Sequence, residues 1–548
     1  MNSLIVSQKS KLQKGLPKKT KSLCPECNTT LDAVLSKEGN KVIIEKTCKK
    51  HGAFKDTYWS NVNDFLRVEK FAHDGVGVKN PNTESEDECP KNCGLCDEHY
   101  SNTVLGIVDL TNRCNLSCPI CFANANASGH VFEPSYDAVV KMLEILRAER
   151  PIPPSAVQFS GGEPTIASRL PDIIQKASEL GFKQIQIATN GLKISEDKDY
   201  LQKLANAHLH TLYLQFDGLK DEIYMQSRGR ALVDVKKKVI ENCRKINNPY
   251  PPSKLSIVLV PTIVNTINDD QVGPILDFAI DNRDVVRGVN YQPVAFTGRI
   301  NDAERAKQRF TLPDLVDRLI DQTGYFERED FFPVPCVVPI SNLASYIKQK
   351  PKMALTAHPH CGLATYIFIN KKKTGRDRVI PLPRFVDAEQ FFEDTQELFE
   401  DLSQGGLTSR IKTGAVRLGS KSSMLSAITM KRNIKKYINL DKLPDGITEG
   451  DVTDMISSIF MKADKRALAN FAWESMFIGA MHFMDSYNYD VERVKRCLIH
   501  YPTPDGRIIP FCSYNGGPFH RKEVEEKYSV TLAEWKAGKA YQREKSNV

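Results

Sequence analysis

Between residues 103 and 325 the spacing of apolar positions alternates between two periods. Short runs rich in β-branched residues ("TVLGIVDL", "AVQFS", "KQIQIAT", "TLYLQFDG", "LSIVLVPTIV" and "VRGVNYQPVAF") are separated by charged segments. In those segments, such as "YDAVVKMLEILRAER", "PDIIQKASELG", "DVKKKVIENCRKINN" and "VGPILDFAIDNR", apolar residues recur at helical spacing. Strand-length runs alternating with helical ones predict a parallel sheet. Right-handed crossovers curl such a sheet toward a partial (β/α)6 barrel. The expected fold class is therefore α/β, with functional residues at the C-terminal ends of the strands.

The flanks read differently. Residues 1–22 carry six lysines and no acidic residue, the pattern of a basic flexible tail. A cysteine-bearing module over 23–75 precedes a segment, 76–102, that contains the polar linker "NPNTESEDE". From 326 to 548 the alternation fades. There "KRALANFAWESMFIGAMHFMDSY" places Ala467, Phe471, Trp473, Phe477, Ile478 and Met481 broadly on one side of a helix, which predicts a core-packing helix. The basic stretch from 409 to 438 reads as a solvated face or as a contact for phosphate groups.

Composition narrows the class. A chain of 548 residues is too long for one core and predicts two to four domains. With 41% hydrophobic and 26% charged residues it is a folded chain, not a disordered one. It has no apolar run near the ~20 residues of a membrane span and no secretory signal pattern. A cytoplasmic protein is expected. The net charge of +8 is compatible with peripheral contact with an anionic membrane surface. Basic residues are not interleaved with aromatics, so no nucleic-acid partner is expected.

Fourteen cysteines in a reducing compartment point to metal rather than to disulfides. Cys24 and Cys27, followed by Cys48 and His51, have the spacing of a tetrahedral zinc or rubredoxin-like iron site. Cys89, Cys93 and Cys96 repeat the spacing of Cys114, Cys118 and Cys121. Three thiolates can hold three irons of a 4Fe–4S cube and leave the fourth open. Position separates the two motifs. Cys114 follows the first barrel strand, at the face where barrel enzymes place chemistry, whereas Cys89–Cys96 precedes the barrel and reads as an auxiliary cluster. Its fourth ligand is left open between His99, a distant side chain and none. Cys336, Cys361, Cys497 and Cys512 form a wider set for a further auxiliary cluster, with Cys497 and His500 as a local alternative pair. Cys243, inside a barrel helix, reads as packing.

The later strand ends are polar. "SGGEP" offers Gly161 and Gly162, where backbone can approach a ligand closely, and Glu163, which can accept from an ammonium group. "TNG" carries Asn190, "QFDG" carries Gln215 and Asp217, and "PTIVN" carries Asn265.

"CNLSCPIC" followed about 40 residues later by "GGEP" resembles the radical S-adenosylmethionine superfamily. That resemblance implies a reduced 4Fe–4S cluster on Cys114, Cys118 and Cys121. Its open iron would chelate S-adenosylmethionine, and electron transfer would release a hydrogen-abstracting 5′-deoxyadenosyl radical. It also implies Ile120 packing on adenine and Gly161, Gly162 and Glu163 at the methionine amino group. Asn190, Gln215, Asp217 and Asn265 would serve ribose and carboxylate. The cysteine segments from end to end, with "YPTPDGRIIPFCSYN", resemble the archaeal tetraether lipid synthase family. This second resemblance implies hydrogen abstraction from terminal methyl groups of a diether lipid. The isoprenoid chains would then join to a tetraether or macrocycle, with an auxiliary cluster parking the first radical. It further implies an apolar tunnel lined by "FFPVPCVVPI" and the 467–485 segment, and a reductant protein such as ferredoxin or flavodoxin. Two other readings stand beside it: a radical S-adenosylmethionine methylase acting on a pterin-type substrate, and a non-catalytic iron–sulfur electron carrier or lipid-binding protein.

Overall fold

The computed structural model describes residues 6–84, 89–249, 255–301, 303–370, 373–404, 434–454, 475–517 and 520–537. At the N-terminus Lys18–Leu23 (β1), Thr30–Glu38 (β2), Lys41–Cys48 (β3) and Gly52–Trp59 (β4) form an antiparallel meander. Alternation along β2 and β3 turns Ala33, Leu35, Val42 and Ile44 onto Trp59 and Phe65. The lysine-rich segment is therefore no loose tail over its described residues. Gln8 and Lys9 pair with His73 and Asp74, and β1 is an integral strand. The pleat sends Lys19 and Lys21 outward and Lys18 inward. There Lys18 ion-pairs with buried Glu69 and lies 4.5 Å over the Phe65 ring.

Lys46 fastens this module to the C-terminal part of the chain. It is buried and donates to Ser22 Oγ (2.9 Å), Ser486 O (2.6 Å) and Tyr487 O (3.0 Å). Burial lowers its pKa from 10.5 to about 7, against the pull of Asp485 and Asp56. Between those values the unfolded chain binds a proton that the folded chain has released, so stability rises with pH across that window. The unfolding midpoint is expected to climb from pH 7 toward 10.5, and the climb to shrink in Lys46→Met. Equal slopes in the two proteins would show that Lys46 titrates normally.

The six β-branched runs all become strands: Leu105–Asp109 (β5), Ala156–Ser160 (β6), Gln184–Thr189 (β7), Thr211–Gln215 (β8), Ser256–Val260 (β9) and Val286–Pro293 (β10). They lie side by side in chain order, all parallel. Helices including Tyr136–Ala148 (α1), Leu170–Glu179 (α2), Val233–Lys245 (α3) and Val272–Asp281 (α4) connect them. In α1 the Ser135 side chain caps the Ala138 N–H, and Val139, Met142, Leu143 and Leu146 are buried. Cys243 is buried in the core between helix and sheet, as expected.

The region after 326 does not form a separate unit. Gly362–Ile369 (β11), Ser475–Met481 (β12), Ile499–Pro502 (β13) and Ile508–Pro510 (β14) join the same sheet. β12 runs parallel to β10 at one edge, and β13 runs parallel to β5 at the other. The chain from 326 onward therefore extends both margins of the barrel. β12 also corrects the expected helix. "SMFIGAM" buries Met476, Ile478 and Ala480 between two neighbouring strands. A segment apolar at nearly every position carries no period to separate helix from strand, and pairing on both sides decided it. Ala467, Phe471 and Trp473, and the basic stretch over 409–433, lie outside the described residues. No helix among the described residues is long and apolar enough to cross a membrane.

Candidate active site

β5 ends at Asp109 and delivers the loop that carries Cys114, Cys118 and Cys121. Asn126 clamps this loop. Its Oδ1 accepts from the Cys114 N–H (2.9 Å), and its Nδ2 donates to Cys114 O (2.9 Å) and Leu116 O (3.2 Å). All three thiols line one cavity of about 220 Å³. Burial raises the Cys118 thiol pKa and pushes that of Cys114 up to about 12. A cation bound to these sulfurs would reverse that preference by favouring the thiolates.

Gly161 and Gly162 line the same cavity but serve chiefly as a seam. The Gly162 N–H donates to Thr111 O (2.7 Å) and the Glu163 N–H to Arg113 O (2.9 Å). A Cβ on Gly161, at φ +124°, would stand 2.2 Å from Thr111 O, and one on Gly162 2.1 Å from Arg113 O. Glycine here lets the end of β6 lie directly on the cysteine loop.

Glu163 is buried at the cavity wall. Its Oε1 accepts from Thr165 N–H (3.1 Å), Thr165 Oγ1 (2.6 Å) and Thr189 Oγ1 (2.7 Å). Among the described residues its Oε2 accepts from Asn190 N–H alone (2.8 Å), which leaves acceptor capacity on a side chain that lines the cavity. Burial raises its pKa, and the donors oppose that shift. Asn190 also lines the cavity, and its Nδ2 donates to Asn115 Oδ1 (2.7 Å). Gln215 lines it too, held by its own Oε1 on Lys236 Nζ (2.8 Å).

Asp217 and Asn265 occupy other places than expected. Asp217 is fully buried behind the wall, paired twice to Arg228 (2.5 and 3.0 Å) and accepting from Thr262 N–H (3.1 Å). Asn265 faces away from the cavity and donates to Lys307 O (2.7 Å). Thr262 and Gln292 take the wall positions near the ends of β9 and β10. Ile120 is buried beside a smaller cavity of about 50 Å³ that shares Phe122, Arg228, Thr262 and Gln292 with the main one.

Two residues here carried no sequence signal. Arg228 lines both cavities and donates to Ile120 O (2.7 Å), so it ties the cysteine loop to Asp217. Lys236 is buried and donates to Asn190 O (2.6 Å) as well as Gln215, with its pKa lowered to about 7 by burial. Neither belongs to a short motif, since each acts on partners brought close only by the barrel.

The C-terminal region closes the cavity. Met481, Phe483, Ile499, Tyr501 and Phe511 line it, and the Phe483 and Phe511 rings stack at 3.9 Å. Arg521 bridges this layer to β5 through Asp109 (2.9 Å). None of residues 331–340 lines the cavity, so the expected tunnel wall at "FFPVPCVVPI" is not found there.

The other metal candidates divide by geometry. The ligand atoms of Cys24, Cys27, Cys48 and His51 all lie within 4.8 Å of one another, a spacing that fits a single ion. Cys89, Cys93 and Cys96 surround a pocket of about 20 Å³ with His99. The His99 Nε2 is already engaged with Cys497 O (3.1 Å) and His500 Nε2 (3.2 Å). His500 Nδ1 in turn meets Thr103 Oγ1 (2.9 Å), so both ring nitrogens of His500, offered with Cys497 as a local ligand pair, are engaged in hydrogen bonds. Of the expected set Cys336, Cys361, Cys497 and Cys512, Cys336 is buried, and burial raises its thiol pKa. Cys497 and Cys512, in contrast, each feel the charge of Cys361.

A parallel β/α barrel with a three-thiol loop after its first strand defines a radical S-adenosylmethionine enzyme. The sequence profile of the Radical SAM superfamily matches residues 108–279. This class works with a 4Fe–4S cluster, S-adenosylmethionine and a reductant. The profile of the HMPTM N-terminal zinc ribbon domain matches residues 16–60, the meander that carries the four-ligand metal site. The chain is 44% identical over 522 residues to the 7,8-dihydro-6-hydroxymethylpterin dimethyltransferase of Methanocaldococcus jannaschii, covering 95% of this chain and 97% of that one. It belongs to that family. A GTP 3′,8-cyclase of Limosilactobacillus fermentum is 26% identical over 233 residues, 41% of this chain and 63% of its own. Among solved structures, Streptococcus suis SuiB aligns over 41% of this chain and 47% of its own at 20% identity, with a TM-score of 0.33.

These findings correct the functional expectation. The full-length relative is a pterin dimethyltransferase, so the tetraether lipid synthase resemblance does not carry the function. Coupling of isoprenoid chains falls with it, and the relative lends no support to a diether lipid substrate or a membrane surface. The methylase reading is the one the relative favours.

Proposed function

We propose that this chain is a radical S-adenosylmethionine methyltransferase acting on a reduced pterin-type heterocycle. The observation that carries the reading is the 44% identity across nearly the whole of the pterin dimethyltransferase. The cavity supports it. Phe483, Phe511, Tyr213 and Tyr501 give it aromatic walls suited to a flat heterocycle, and Gln158 and Gln292 bring side-chain amides to the same cavity.

Cys114, Cys118 and Cys121 would hold the catalytic cluster, which with S-adenosylmethionine supplies a hydrogen-abstracting radical. The free acceptor capacity of Glu163 Oε2 suits the methionine ammonium. Ile120 bounds the side where adenine would lie, and Arg228, a buried cation on the cavity wall, would serve the carboxylate. Lys236 fixes the orientation of Gln215, and the aromatic layer excludes water from the reacting atoms. Cys89, Cys93 and Cys96 are the proposed seat of a supporting cluster, with a ferredoxin or flavodoxin as electron source.

The test is anaerobic. Reconstituted, reduced protein is incubated with S-adenosylmethionine and 7,8-dihydro-6-hydroxymethylpterin, and products are followed by mass analysis. Methylated pterin together with 5′-deoxyadenosine is expected. Formation of 5′-deoxyadenosine with the pterin unchanged would overturn the substrate assignment and leave the radical chemistry standing.

A further inference from the structure

The inside of the barrel is unusually polar just below the strand ends. Barrel interiors are ordinarily filled by layers of bulky branched side chains. Here one set of alternate positions, including Phe159, Ile187, Leu212, Leu214, Val289 and Tyr291, belongs to the hydrophobic core. The other set carries Gln158, Gln186, Tyr213, Asn290 and Gln292. Gln158, Tyr213 and Gln292 line the main cavity, and Gln158 and Asn290 are buried. Depth separates this layer from the residues beside the cysteine loop. Gln158 lies two residues before the end of β6, and Tyr213 two before the end of β8. Two residues of strand place them about 6.6 Å deeper than the strand ends. Between them β7 presents Ala188 opposite Tyr213, and its single methyl leaves room in the barrel.

Hydrogen bonds inside the layer decide what each group still offers. Gln186 Nε2 donates to Gln158 Oε1 (2.7 Å). Among the described residues this is the one side-chain bond of Gln158, so its own N–H groups remain to donate. Asn290 Nδ2 donates to the Tyr213 hydroxyl, and the Gln292 amide reaches the same oxygen. The Gln292 contact pulls the Tyr213 pKa down, as a donated hydrogen bond does, so Gln292 gives an N–H there and keeps Oε1 as an acceptor. Burial outweighs both contacts and raises that pKa to about 12, so Tyr213 stays a phenol. With both lone pairs of its oxygen engaged, the phenol has its proton left to donate. The layer therefore presents two donors, one acceptor and no charge. The charged residues of the cavity wall, Glu163, Arg228 and Arg299, are tied instead to the cysteine loop through Arg113 O, Ile120 O and Cys118 O.

We propose that Gln158, Tyr213 and Gln292 read the 2-amino-4-oxopyrimidine edge of the substrate, deep in the barrel. The proposal rests on the pterin reading of the active site. The donors on Gln158 and Tyr213 match the 4-oxo oxygen and a ring nitrogen, and Gln292 Oε1 takes a hydrogen of the 2-amino group. A neutral lactam edge costs far less to bury against an uncharged floor than an anion does. The pyrimidine ring thus points down the barrel. The second ring, with its 6-hydroxymethyl group, turns up toward the three-thiol loop, where a hydrogen-abstracting radical would form. S-adenosylmethionine keeps the strand ends at Glu163, Asn190 and Gln215, one layer above.

The test uses the full chain, reconstituted anaerobically with iron and sulfide and saturated with S-adenosylmethionine. Calorimetry measures binding of 7,8-dihydro-6-hydroxymethylpterin, of its 2,4-dioxo analogue, and of guanosine triphosphate, which carries the same edge on a nucleotide. The parent should prefer the pterin to the dioxo analogue by about tenfold or more, because a carbonyl then faces Gln292 Oε1. Gln292→Leu should erase most of that preference. Gln158→Leu and Tyr213→Phe should each weaken the pterin by about tenfold and keep the preference. A packing defect would weaken both ligands alike, so a preference that survives Gln292→Leu would refute the edge reading and leave methyl transfer standing. Unchanged pterin affinity in Gln158→Leu or Tyr213→Phe would remove that residue from the layer. Tighter binding of the nucleotide than of the pterin would keep the edge reading and displace the pterin. Pterin bound but never methylated would overturn the reaction and spare the layer, and no binding at all would sink both.

Discussion

Replacing Cys114, Cys118 or Cys121 by alanine is expected to bring S-adenosylmethionine cleavage down to the level of the protein-free control. A cube held by three thiolates has one iron free for its ligand. Two thiolates leave a second iron open and the cluster poorly held. No spare thiol stands nearby, because the described cavity wall contains no fourth cysteine. Iron content should fall by about four atoms per chain while the Cys24–His51 metal stays bound. That difference separates loss of the catalytic cluster from general unfolding. The measurement is 5′-deoxyadenosine released under anaerobic reducing conditions, read against iron and zinc analysis. Substantial release from any one of the three variants would move the catalytic cluster elsewhere, with Cys89, Cys93 and Cys96 the next candidates.

Asp217→Asn should cost about 3–5 kcal/mol of stability, the usual effect of removing one partner from a buried ion pair. The Asp217 side chain is fully buried and that of Arg228 is 10% exposed, so water cannot take over the lost charge. Arg228 also donates to Ile120 O, and the Thr262 backbone N–H donates to the Asp217 carboxylate. The variant should therefore also raise the KM for S-adenosylmethionine by loosening the cysteine loop. Urea midpoints and initial rates check the two effects. A double variant, Asp217→Leu with Arg228→Met, should recover much of the stability, because an apolar pair leaves no unpaired charge. It should not recover the KM. Recovery of both would reduce the pair to a packing element.

How much of this was legible varies from place to place. Each of the six central strands carries its own local signal, a β-branched run bounded by turn residues, and each appears where that signal lies. Ligand pairs close in sequence are equally plain, since Cys24–Cys27 and Cys48–His51 need only one sheet to meet. Lys18 shows where local reading stops. A run of lysines signals solvent until Glu69 and Phe65, some fifty residues away, provide a buried place for one of them. Asp217 is a similar case. Its strand-end position suggested a ligand contact, but α-helical Arg228 had already claimed it.

By itself the sequence determined the alternating β/α framework, the three-thiol loop after its first strand and the four-ligand metal site. All of these follow from residues near one another along the chain. Only the tertiary structure decided that the C-terminal third extends both edges of the sheet, that Phe483 and Phe511 close the cavity, and that Arg228 ties the cysteine loop to Asp217. Those facts depend on pairings across tens to hundreds of residues, where strand register and burial act and no local spacing can record the outcome.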